Sequence, residues 1–142
     1  LCDVRLMLEP EIAVLACEHA TEEEKEELKR LCDEVENLYL AGENHLQKDV
    51  EFHTCIARCS KNNVIEKLVP MIQSAVITFV NITHRQLKDE TIETHRAITD
   101  AILQGDSAGA KYAMIMHLNY NRQMILKKKQ EASGVDRSRS GS

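Results

Sequence analysis

The sequence predicts an all-α domain, an antiparallel bundle of about six helices, and three observations carry that prediction. Aromatic residues make up only 4% of the chain, and there is no Trp to furnish β-rich strands. The 5 Gly and 2 Pro are too few for the turns of an all-β fold. Apolar residues recur at intervals of three and four along most of the 142 residues, the spacing of one helix face. That length suits one domain with a real core. No apolar run approaches the roughly 18 residues of a membrane span, and no secretory signal is seen. The expectation is a cytoplasmic protein with no membrane partner.

The first helix is already under way at the start of the chain, with Val4, Leu8, Ile12, Leu15 and Cys17 apolar at mostly helical spacing. Pro10 removes a backbone donor and is expected to bend this segment or restart it. Because neither a Met nor a cap precedes the pattern, the chain reads as a piece of a longer protein. Thr21 and Glu24 form a capping box for a second helix, whose apolar face is Leu28, Leu31, Val35, Leu38 and Tyr39. Gly42 stops it. A third helix is expected from about Asn44 to Ser60, broken by Asn62 and Asn63, and a fourth from about Val64 to Leu87, with Pro70 as a possible kink. A fifth covers about Thr91 to Leu103 and ends at Gly105. Asp106 or Ser107 caps a sixth that runs towards Lys129. Residues 1–130 are therefore assigned to the domain and 131–142 to a flexible tail.

Charge and cysteines narrow the function. The net charge is −5, but residues 127–142 carry +3, which leaves −8 on residues 1–126. An acidic body repels phosphate backbones, so nucleic acid is excluded from its globular surface. Cys2, Cys17, Cys32, Cys55 and Cys59 form an odd set with no disulfide framework, and read as reduced thiols. Cys55 and Cys59 lie four apart, where small buried hydrophobes outweigh a metal-ligand pair.

The informative residues are polar groups on faces that a bundle would fill with Leu. Asp49 and His53 lie one helical turn apart on a face shared with Phe52 and Ile56. His95 shares its face with Ile98 and Ile102, and His117 follows Ala113 and Met114. Three helices thus aim ionisable groups inward. A buried carboxylate costs several kcal/mol, of order, unless it is paired or bound to a cation. Spacing leaves two readings open: a hydrogen-bonded Asp49–His53 pair with the other histidines satisfied in the core, or one mononuclear divalent metal site. Three imidazoles and one carboxylate suit Zn²⁺, Ni²⁺, Mn²⁺ or Fe²⁺. His45 reads as a surface or capping residue, while His19 and His84 lie near segment ends without a partner pattern.

Arg5-x-x-Leu8-Glu9-Pro10, Asp49-x-x-Phe52-His53, Ser60-Lys61-Asn62, Thr94-His95-Arg96-Ala97-Ile98, Ala101-Ile102-x-x-Gly105-Asp106 and Met116-His117-Leu118 follow one another in order. The set resembles the FCD domain, the effector-binding half of FadR-subfamily, GntR-type bacterial transcription regulators. The resemblance covers roughly residues 1–126. It implies a bundle of six or seven helices with a divalent metal, zinc or nickel favoured, held by Asp49, His53, His95 and His117. It also implies that Arg5 anchors a small organic acid, a carboxylate or sugar acid, beside the metal. Asn62 matches a position that contacts the effector, with capping of the fourth helix as the plainer role. A homodimer is implied, as is a DNA-binding winged helix-turn-helix that this chain does not contain.

The resulting expectation is a sensing domain, not an enzyme. A mononuclear, hydrolase-like metalloenzyme is the first alternative, and no spare Glu beside the histidines offers a base for it. A metal-free dimerisation module is the second.

Overall fold

The computed structural model describes residues 2–83 and 89–120, and all of its regular structure is helical. Five helices are α1 (Cys2–His19), α2 (Glu22–Leu40), α3 (Leu46–Cys59), α4 (Asn63–Thr83) and α5 (Asp89–Gln104). A sixth, α6, covers 107–120. The expected continuation of α6 towards Lys129, the tail at 131–142 and His84 lie outside the described residues.

Helix ends follow the local chemistry. Thr21 and Glu24 form the capping box in both directions: Glu24 N donates to Thr21 Oγ1 at 3.2 Å and Thr21 N to Glu24 Oε1 at 2.9 Å. Gly42, at φ 71°, lets Glu43 N donate back to Leu38 O at 2.9 Å, and Gly105, at φ 70°, does the same for Asp106 N on Ala101 O at 2.8 Å. Asp106 then caps α6, its Oδ1 accepting from Gly109 N at 3.0 Å.

Pro10 does not restart the first helix: α1 runs through it without a break. Pro70 lies inside α4, in line with one helix over that stretch. One boundary needs correction. The break after α3 comes at Ser60 and Lys61, with Lys61 in the left-handed region at φ 60°. Asn63 already belongs to α4, and Asn62 caps it: its Oδ1 accepts from Val64 N at 3.0 Å and Ile65 N at 3.2 Å.

α3 is the centre of the bundle. It packs against α1, α2 and α4, while α5 packs against α1 and α2. The core joins Ile12, Ala13 and Ala16 of α1, Leu28 and Leu31 of α2, Phe52 and Ile56 of α3, Ile98 and Ile102 of α5, and Met114 and Leu118 of α6. Cys55 and Cys59 are buried within this apolar cluster, as expected of small hydrophobes. The buried face of α1 differs from its expected stripe. Val4 is exposed, and the inward row is Arg5, Glu9, Ile12, Ala13 and Ala16. Two charged side chains thus enter the core from α1.

Candidate metal centre

The helical repeat places His53 one turn beyond Asp49 on α3, and α5 and α6 bring His95 and His117 to the same point. All three imidazoles are buried to 2% exposure or less. One ring nitrogen from each lies within 4.8 Å of the others, and the ring centroids of His95 and His117 are 4.4 Å apart. Asp49, with 15% of its side chain exposed, closes the fourth side. Its Oδ1 is 2.9 Å from His95 Nε2 and 3.6 Å from His53 Nε2. Phe52 forms an apolar wall, its ring 4.8 Å from that of His95 and 5.4 Å from that of His53.

Asp49 Oδ1 and His95 Nε2 approach to ion-pair distance without the alignment of a good hydrogen bond. Neither atom has a partner of acceptable geometry, and the same holds for His53 Nε2. Buried nitrogen and oxygen atoms that converge without hydrogen bonds cost free energy, and a cation placed among them satisfies them together. Burial pushes the imidazoles of His95 and His117 towards their neutral, metal-binding form; for His117 the neighbouring His95 and His53 add to this. Burial would raise the Asp49 carboxyl, but the imidazoles of His95 and His53 outweigh it and hold the group well below the usual carboxylate range. Three imidazoles and one carboxylate are thus brought together, a donor set that fits a mononuclear divalent metal.

The FCD domain family matches residues 1–120. The chain belongs to that family. Relatives agree with it: the FCD domain is 36% identical over 129 residues to the uncharacterized HTH-type transcriptional regulator YcbG of Bacillus subtilis (strain 168), covering 88% of this chain and 53% of that protein. It is 28% identical to the HTH-type transcriptional regulator LutR of the same organism (83% and 57%). It is also 30% identical to a putative L-lactate dehydrogenase operon regulatory protein of Escherichia coli (strain K12) (83% and 47%). The chain thus spans about half the length of these curated relatives. Among solved structures, Streptococcus agalactiae GntR superposes with a TM-score of 0.78 at 32% identity, covering 86% of this chain and 56% of that one. E. coli McbR/YncC shares the fold, with a TM-score of 0.76 at 17% identity (92% and 63%). The fold and the relatives of this FCD domain are those of transcription regulators.

The FCD domain brings Asp49, His53, His95 and His117 together and sets Arg5 beside them. Arg5 is buried, its Nε donates to Glu9 Oε2 at 2.6 Å, and its charge acts on both His95 and His117. Asn62 is exposed, with its amide oxygen engaged in the α4 cap. His45 stands at the N-cap of α3 without a side-chain cap bond, and His19 is exposed near α1's end.

Three polar residues around the centre were given no role from the sequence: Glu9 and Thr94 appeared only as motif positions and Gln73 not at all. Glu9 is buried; His53 Nδ1 lies 3.0 Å from its Oε1, and Gln73 Nε2 donates to the same oxygen at 3.2 Å. Burial would raise the Glu9 carboxyl, but Arg5 and His53 lower it to about 2. Gln73 comes from α4 and is itself buried. Thr94 Oγ1 stands 2.9 Å from His117 Nδ1. A signal for Glu9 was present, because Arg5, Glu9, Ile12, Ala13 and Ala16 also repeat with helical spacing. Gln73 lies in the apolar α4 sequence without a charge pattern to single it out.

Proposed function

We propose that this domain senses a small organic acid through a divalent metal, zinc or nickel by preference, held by Asp49, His53, His95 and His117. The observation that carries the reading is the buried convergence of Asp49 Oδ1, His53 Nε2 and His95 nitrogens without hydrogen-bond partners. An ion held there would supply a Lewis-acid anchor for an anionic ligand. Arg5 adds the second point of attachment. Its Nε edge is held by Glu9, and its two Nη atoms make no hydrogen bond among the described residues. A guanidinium edge beside a metal recognises a carboxylate. Asn62 sits at the N-terminus of α4 and is the site's outlying contact.

In the whole regulator the effector shifts a conformational equilibrium that a DNA-binding winged helix-turn-helix outside this chain reads out. A second copy of the chain is the expected partner. Val64, Leu68 and Met71 form an exposed apolar row along α4, which supports association. The setting is the bacterial cytoplasm; among the described residues, no helix is long and apolar enough to cross a membrane.

The test is elemental analysis of the purified domain together with thermal denaturation in L-lactate, chosen because one relative is named for an L-lactate dehydrogenase operon. About one ion per chain is expected, falling below about 0.2 in His95→Ala. Other small hydroxy and sugar acids follow if L-lactate is inert. A His95→Ala domain that is stabilised by an acid as strongly as the parent overturns metal-anchored sensing.

A further inference from the structure

Glu9 is not a member of the ligand set, yet three buried side chains converge on its carboxylate. Its two carboxylate oxygens take up Arg5 Nε, at 2.6 Å, and both Gln73 Nε2 and His53 Nδ1, at 3.2 and 3.0 Å. Those groups come from α1, α4 and α3 respectively. A carboxylate paired with a guanidinium only accepts hydrogen bonds, so His53 Nδ1 is the donor, and in a metal-ligating ring, which keeps one proton, that proton sits on Nδ1. The lone pair is then on Nε2, the atom that faces Asp49 Oδ1 at 3.6 Å and has no hydrogen-bond partner.

We propose that Glu9 is the positioning residue of the metal centre, holding His53 in the ring orientation and tautomer that present Nε2 to the ion. The proposal rests on the metal reading above. A carboxylate behind a ligating imidazole fixes the ring's direction and raises its basicity, and loss of such a partner costs about 10–100-fold in metal affinity. Arg5 and Gln73 act one step further out: they hold the carboxylate so that it cannot turn away from His53. Glu9 meets the centre through the His53 ring, and its other hydrogen-bond partners are Arg5 and Gln73.

Zn²⁺ affinity, read by competition with a chromophoric chelator, and the visible spectrum of the Co²⁺-loaded domain test this. Glu9→Gln should bind Zn²⁺ about 10–100-fold more weakly and shift the Co²⁺ bands. Because that change leaves Arg5 unpaired in the core, Arg5→Leu/Glu9→Leu provides a second variant without a buried charge, and the same loss is expected. Long-range proton–nitrogen NMR of the Zn²⁺-loaded parent reads the tautomer directly, with Nδ1 protonated and Nε2 metal-bound. Folded variants with parental affinity and an unshifted Co²⁺ spectrum overturn the proposal, as does an ion on Nδ1 of His53. Either result leaves the metal reading intact. A parent domain that takes up no Zn²⁺ or Co²⁺ overturns both.

Discussion

His53 and His117 share one problem: each ring has two nitrogens and only one can face the centre. Glu9 deals with the Nδ1 of His53, and Thr94 stands against the Nδ1 of His117. The Thr94 hydroxyl also lies 2.9 Å from the carbonyls of Glu90 and Thr91, to which it donates its single proton. It therefore accepts from His117 Nδ1, which fixes the direction of that ring. Thr94→Val keeps the shape and deletes the acceptor. Zn²⁺ affinity measured by chelator competition should fall roughly tenfold, with the fold intact by circular dichroism. Phe52 is a different kind of neighbour, fully buried against His53 and His95. Phe52→Ala should cost about 3–5 kcal/mol in urea denaturation, through the lost burial and the cavity left behind. At this scale the sequence was informative about ligands and less so about their supports. A histidine or aspartate on an apolar stripe stands out from its neighbours, whereas Thr94 resembles any half-buried threonine.

The helices show where periodicity suffices and where it misleads. Thr21 and Glu24 were legible because a capping box is a local device whose geometry needs nothing from the rest of the fold. Glu24 also pairs with Lys61, the left-handed residue between α3 and α4, so this cap ties the start of α2 to the end of α3. Partial burial raises the Glu24 carboxyl, but the Lys61 ammonium and the Thr21 cap prevail and lower it. A carboxyl lowered on folding stabilises the native state above its unfolded value near 4.5, and that contribution is lost as pH falls through the folded value. Glu24→Gln should therefore be less stable than the parent by about 0.5–1 kcal/mol at pH 7. Thermal denaturation from pH 7 to pH 3 should show the difference closing below about pH 4.5. α1 was harder to read. A search for apolar spacing selects Val4 and Leu8, but the inward row starts with Arg5 and Glu9, a pair that only tertiary contacts with His53 and Gln73 explain. Of the two outcomes expected at Pro10, a bend or a restart, the restart does not occur: α1 is continuous through it.

Across the whole molecule, the proposed ligands and their supports involve α1, α3, α4, α5 and α6, leaving only α2 without a part. Binding an ion to such a site adds directly to folding stability. Chelation should lower the midpoint of thermal unfolding by roughly 10–15 °C, taking about 4 kcal/mol at a thousandfold excess over Kd, and added Zn²⁺ should restore it. The bundle and its helix order were readable from composition and spacing. The packing of α4 on α3, which delivers Gln73, was not, because nothing local tells one apolar helix face which neighbour to choose.

One consequence lies in the denatured chain. Asp49 and His117 stand at opposite ends of a stretch of about 70 residues, and if they keep a common ion the unfolded ensemble is closed into a ring of that size. By the loop-closure relation for a covalent cross-link, such a ring is worth about 4 kcal/mol. The site would then act as a removable staple: unlike a disulfide, it could be opened by a chelator or by protons without any change in the oxidation state of the five cysteines.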